Sequence, residues 1–558
     1  NASDRLRAGC FLAGFAADGD FWPAHADSLA VDLVRVLPSE LTPYRDALCP
    51  VQEHLITPLS AIYRDDSSGE QVRSFATDTL ADYLSEDAGR LFDLLADSSE
   101  QQFGTIFDKL AAHQQRAIEL GNAEVSRTFP EDTAEADREA QAVRQANAAV
   151  MLLRMNAADQ VWPLLKHSPD PRVRSYITHW LSPRGGDFQI ILDRYGQETD
   201  VTIKRALLLC LGEFDLPDAD QQSLIATLLD VYRTDPDAGL HAASEWLLRQ
   251  WGQADALAGI DKELQSTEAQ RQAAGGDPRQ WYINGQGQTY AIFQADEFAM
   301  GSPDSDADRL PQEKLHRRRI DRRIAIATKE VTRGNWRVFF RDEPTTIPPD
   351  FKGLKAVILT DDSPMTAMTW YEVVAYCNWL SEQEGIPESQ WCYEPNKDGL
   401  WGPGMKAKEK FWELTGYRLP TESEWEFSCR AGAVTSRYYG ATESLLPHYA
   451  WFQTNAEIRM HRIASLKPND LGLFDMLGNA YEWCYDDFVF WSELPENRAV
   501  ADTPATQGVT ETGRRMLRGG SFGSQHSTVR SADRYYNVPL NRVYSYGFRL
   551  ARTYHLSP

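Results

Sequence analysis

The segment RMLRGGSFGSQHSTVRSADRYY (515–536) gathers the residues of this 558-residue chain best suited to touch or change a ligand. It offers hydroxyls at Ser524 and Ser527, an amide at Gln525, an imidazole at His526, a carboxylate at Asp533 and phenols at Tyr535 and Tyr536. Asn537, Asn541, Tyr544 and Tyr546 follow directly. It offers no thiol. The seven cysteines are Cys10, Cys49, Cys210, Cys377, Cys392, Cys429 and Cys484, and none lies beyond Cys484. Serine does not replace a thiolate, because its hydroxyl ionises too high and its oxygen is too hard for a soft metal. His526 is a single imidazole, which reads as polar surface. Tyrosine mixed with Ser, Gly and Asn is instead the composition of binding surfaces, where rigid amphipathic rings supply area and small polar groups adapt. An exposed polar loop with no partner is the competing reading.

These residues need elements to hold them. In TWYEVVAYCNWLSE, Trp370, Val373, Val374, Cys377 and Leu380 recur at helical spacing, with Thr369 and Glu372 placed for a capping box. Cys377 then reads as a small buried hydrophobe. In YRLPTESEWEF, Thr421 caps a helix, Glu424 completes its box, Trp425 is core, and Arg418 calls for a buried acid. Glu422 and Glu426 form a carboxylate pair that reads as a solvated helix face.

Several further motifs stand in order along the second half: FAMGSPDSDADRLPQEKLHRRRI from Phe298, ATKEVTRGNW from Ala327, LKPNDLGLFDMLGNAYEWC from Leu466 and YGFRLART from Tyr546. With the stretches above, this set resembles the formylglycine-generating enzyme, or sulfatase-modifying factor, family over nearly all of 281–553. The resemblance implies a C-type-lectin-like domain poor in regular secondary structure. It also implies a calcium loop, with ligands carried over onto the Asp475 carboxylate, the Gly478 and Ala480 carbonyls and the Glu482 carboxylate. Such hard oxygen donors suit Ca²⁺. The family's oxidase places two copper-binding cysteines shortly after the Gly-Gly-Ser motif. They are missing here, so no copper or iron is expected and no catalytic residue is assigned. The family's sulfoxide synthases use histidines on a helical bundle, and the first half has no His-x₃-His-x-Glu pattern. Residues 523–546 also resemble the variable proteins of diversity-generating retroelements: only Gln525 falls outside the residue set that adenine-directed mutation of Asn-type codons allows. A protein or small-molecule ligand at this face is the leading expectation. A formylglycine-type oxidase acting on a protein cysteine is an alternative.

The first half is helical. DPRVRSYITHWL from Asp170, DVTIKRALLLCL from Asp200 and DAGLHAASEWLL from Asp237 repeat an acidic cap followed by an apolar face, and EQVRSFATDTLADYL from Glu70 is similar. Phe129–Met155 reads as one helix. This pattern resembles HEAT-type repeats over residues 4–268, followed by a flexible linker at 269–280 and the lectin-like domain at 281–558. The repeats read either as a spacer or as a concave surface for a protein partner. The pairing with a lectin-like domain resembles bacterial multidomain proteins headed by a Ser/Thr kinase, so a scaffold or regulator of a linked kinase is a third reading. The leading Asn1-Ala2-Ser3 is consistent with a missing N-terminal module.

The net charge of −24 argues against nucleic-acid and anionic-membrane binding, since phosphate recognition needs a basic face. Odd, scattered cysteines without a Cys-x-x-Cys pair imply reduced thiols and a cytoplasmic setting. No apolar run reaches the ~20 residues of a membrane span.

Overall fold

The computed structural model describes residues 2–128, 130, 133–274, 278–342, 360–489, 498–506 and 508–555. The chain forms two compact units, one of residues 1–166 with 172–197 and one of 167–171 with 198–558. No helix among the described residues is long and apolar enough to cross a membrane.

The first unit is α-helical. The Glu70 segment forms the helix Glu70–Tyr83. The helix expected over Phe129–Met155 spans Glu135–Arg154, starting only after Pro130 and an extended Ala134. The helix after Asp170 is Arg172–Trp180, since Pro171 intervenes. Its successors Ile177 and Leu181 are buried, whereas Val173 is half-buried.

The second unit begins with helices Val201–Leu211, Asp218–Thr234, Ala238–Gln250 and Ala254–Ala274. Asp200 and Asp237 cap theirs as expected: Asp200 accepts from the amides of Thr202 and Ile203, and Asp237 from that of Leu240. The segment expected to be a linker is helical through Ala274. The compact units do not divide there, because polar bonds and rings tie these helices to the domain beyond. The Trp281 indole donates to the Asp235 carbonyl (2.8 Å), and His241 stacks between Tyr232 and Trp281, with centroids 4.2 and 3.8 Å away. Lys329 pairs with the buried Glu245, and the Gln250 amide donates to the Ser465 carbonyl (3.0 Å).

The rest of this unit holds eleven short strands among its described residues: β1 (Trp281–Ile283), β2 (Thr289–Met300), β3 (His316–Ala327), β4 (Tyr393–Glu394), β5 (Lys406–Ala407), β6 (Tyr481–Asp487), β7 (Val500–Ala501), β8 (Arg515–Arg518), β9 (Tyr535–Asn537), β10 (Tyr546–Gly547) and β11 (Ala551–Thr553). One sheet runs β1-β2-β3-β11 with β7 beside β3; a second runs β10-β6-β8-β9; β4 and β5 pair alone. The helix Trp370–Gln383 lies in the aromatic core with Trp336, Tyr376 and Phe548, and Cys377 is fully buried in it. Both expected capping boxes are present, Thr369 with Glu372 and Thr421 with Glu424.

Candidate functional site

The 515–546 segment supplies β8, the edge strand β9 and β10, with loops between them. β9 is an edge of its sheet, with Tyr535 exposed and Tyr536 and Asn537 half-buried. Tyr535 is 43% exposed and stacks on Tyr481 of β6 (5.1 Å). Tyr536 packs tilted against Phe488 (4.2 Å between centroids), with the Arg514 guanidinium 4.6 Å from its ring centre. The Asn537 amide donates to the Tyr546 hydroxyl (2.8 Å) and its carbonyl accepts from Asn541 (2.5 Å). Gln525, His526 and Asn541 are exposed; Ser527, Tyr536, Asn537 and Tyr544 are half-buried. Exposed Leu540 and Val489 add apolar area.

Three residues expected at this surface lie beneath it. Ser524 is buried, accepting from the Ser521 amide (2.9 Å) and donating to the Tyr481 hydroxyl (3.3 Å). Tyr546 is buried against Trp483. Asp533 is buried beside Glu313, Arg530 and Arg518, and burial pushes its carboxyl up to about 7.

Buried arginines hold the loop in the place of a strand ladder. Arg437 donates to the carbonyls of Val529 (2.9 Å), His526 (2.8 Å) and Ala441 (2.7 Å). Arg530 grips both oxygens of Glu313 (2.8 and 3.0 Å) and the Asp308 carbonyl (2.8 Å). Arg518 donates to the Ser531 carbonyl (2.7 Å) and pairs with Glu426, and Arg534 forks onto Glu422 (2.6 and 2.9 Å). Glu422 and Glu426 are therefore not a solvated face. They are buried counter-charges that fix this loop, because charge-assisted, bidentate contacts satisfy the carbonyls of a segment with little regular structure. Arg418 finds its acid in Glu424 (2.6 and 2.7 Å), whose carboxyl, against the upward push of burial, Arg322 (2.7 Å) and Arg418 hold down at about 2.

The cysteines of this domain sit away from solvent. Cys377, Cys392, Cys429 and Cys484 are buried, and burial raises every one of these thiols, Cys392 and Cys429 to about 12. Such groups remain protonated at neutral pH and are poor nucleophiles and metal ligands.

The DMLGNAYEW loop folds sharply, with Asp475, Gly478 and Asn479 all at positive φ. Gly478 is required here, because a Cβ would lie 2.3 Å from the Trp451 carbonyl oxygen. Glu482 is buried and forked by Arg549 (2.7 and 2.6 Å), with the Trp425 indole also donating to it (2.7 Å). Asp475 accepts from the Ala464 amide (2.7 Å). Glu330, which sequence reasoning did not single out, is buried alongside. One of its oxygens accepts from Asn479 (2.8 Å) and the other has no partner. Burial raises both Glu330 and Asp475, with Asp475 and Glu482 adding repulsion at Glu330 and Glu482 at Asp475. Arg549 offsets the charge of Glu482, which it forks, and of the neighbouring Glu330 and Asp475, and one buried Glu330 oxygen remains unsatisfied.

Sequence reasoning also missed Tyr481 and Phe488, which back the exposed Tyr535 and the half-buried Tyr536. Likewise, His526 is not alone: its Nδ1 lies 2.6 Å from Glu443, and Asp308 joins them.

Residues 283–554 match the family model described as a sulfatase-modifying factor enzyme 1-like domain. Among curated proteins, the chain is 30% identical over 190 residues to serine/threonine-protein kinase pkn1 of Chlamydia pneumoniae, covering 34% of this chain and 24% of the kinase. It is 27% identical over 217 residues to the formylglycine-generating enzyme of Mus musculus, covering 35% of this chain and 46% of that enzyme. The chain thus spans less than half of either relative. Among solved structures, Treponema denticola variable protein 1 is 26% identical with a TM-score of 0.41, covering 48% of this chain and 95% of that one.

Proposed function

The C-terminal half of the chain carries a sulfatase-modifying factor enzyme 1-like domain, and from that premise we propose that it grips a protein or small-molecule ligand and does not oxidise a cysteine. The observation that carries this reading is the pairing of a tyrosine-bearing edge strand with a preceding loop, after the Gly-Gly-Ser motif, that has no thiol. Tyr535 and Tyr536 offer stacked aromatic area, and Gln525, Asn537, Asn541 and Tyr544 offer adaptable polar contacts around it. The arginine frame beneath leaves exposed positions free to vary without unfolding the loop, which suits a diversified surface. Ca²⁺ held by Asp475, Gly478, Ala480 and Glu482, with Glu330 beside them, would brace the platform. On this reading the protein works in the cytoplasm, and the helical half offers a protein-partner surface.

Selection of binders from a displayed peptide or small-domain library on the full chain tests this. Binders to the proposed face weaken by ~1–3 kcal/mol on Tyr536→Ala, while the melting temperature holds. If binders selected on the wild type ignore Tyr535→Ala and Tyr536→Ala alike, this face is not the ligand surface.

A further inference from the structure

We propose that His526, Glu443 and Asp308 form a binding site for a borderline divalent cation, Zn²⁺ being the best match, at the margin of the tyrosine face. The three side chains come from separate loops, yet their ligand atoms all lie within 4.8 Å of one another. His526 Nδ1 lies 2.6 Å from a Glu443 oxygen. The Asp308 carboxylate has no hydrogen-bond or ion-pair partner among the described residues. Two carboxylates thus converge on one imidazole, three potential ligand atoms presented to a common point.

The donor set selects the ion. One imidazole with two carboxylates suits Zn²⁺, whereas sites for Ca²⁺ are built from oxygen alone and soft copper prefers thiolates. The loops are held before any ion arrives. Arg437 ties the His526 carbonyl (2.8 Å) to that of Ala441 (2.7 Å), two residues before Glu443, and Arg530 holds the Asp308 carbonyl (2.8 Å). Both arginines are buried and anchored by other partners. A metal ion takes an imidazole only in its neutral form, so binding at such a donor set competes with protons. Three protein ligands leave an open position for water or for a donor on another molecule. The site stands on its own geometry, and its test reads metal directly, separately from any ligand of the tyrosines.

Chelator-treated full chain is titrated with Zn²⁺ in millimolar Ca²⁺, which fills hard oxygen sites, using a competing fluorescent zinc indicator and calorimetry. One Zn²⁺ per chain is expected, released by acidification. His526→Ala and Asp308→Asn should each weaken that site about tenfold or more, and Tyr535→Ala should leave it unchanged. All of these side chains are at least partly exposed, and near-UV circular dichroism confirms the fold of each variant. Absence of stoichiometric Zn²⁺, or equal retention by the His526 and Asp308 variants, overturns the assignment.

Discussion

Asp533→Asn should remove a pH dependence of stability while sparing ligand binding. The carboxyl is 3% exposed and is pushed up to about 7 from the 3.8 of an ordinary aspartate. Burial is the leading cause, Glu313 adds to it, and Arg530 and Arg518 oppose it. The folded state therefore keeps a proton that the unfolded chain has lost across that window. The stability so contributed is full below the unfolded value and is lost as pH rises through the folded one. At 1.36 kcal/mol for each pH step, the window amounts to no more than about 4 kcal/mol. Asparagine keeps the shape and never ionises, so the variant should gain on the wild type by roughly 2–4 kcal/mol between pH 4.5 and 7.5. Urea unfolding followed by tryptophan fluorescence at several pH values measures this, with other titrating groups common to both proteins. Parallel curves would refute the argument that Asp533 lies ionisable beneath the loop. A binder weakened strongly by this substitution would also return Asp533 to the surface.

Calcium removal should lower the melting temperature, and Ca²⁺ should restore it, because the ion would neutralise the Glu330, Asp475 and Glu482 cluster; differential scanning fluorimetry with and without chelator checks it. Arg549→Met should destabilise the domain by about 3–5 kcal/mol, since it strands the buried Glu482 charge, and Arg549→Met with Glu482→Leu should recover part of that loss in urea titrations. Arg437→Met should speed amide exchange at 526–529 and 441–443 without changing exchange in Trp370–Gln383, read by mass spectrometry. A fragment starting at residue 281 should be less soluble than one starting at residue 198, because it exposes Trp281 and leaves Lys329 without Glu245.

The sequence was most readable where the governing interaction is local. The boxes at Thr369/Glu372 and Thr421/Glu424 join residues three apart, and both formed. Asp200 and Asp237 likewise capped the helices they precede. The order of motifs identified the domain of residues 283–554. What stayed hidden depends on distant partners. Glu422 and Glu426 read as a wet helix face because Arg534 and Arg518 stand 112 and 92 residues away. His526 read as solitary because Glu443 and Asp308 arrive from other loops. Asp533 and Ser524 share the local composition of their exposed neighbours, and nothing in that composition marks which side of the loop they take. The residues expected as a linker carry the polar signature of a boundary, but helix Ala254–Ala274 runs into them.

The reading of this domain as a platform that binds without reacting is tested most directly by incubating the full chain with copper, a reductant, oxygen and a set of cysteine-bearing peptides, and following the thiol by mass spectrometry. The account predicts that the cysteine side chain comes back unconverted at every copper level, with any loss also present in protein-free controls. Enzyme-dependent appearance of the corresponding aldehyde would contradict it.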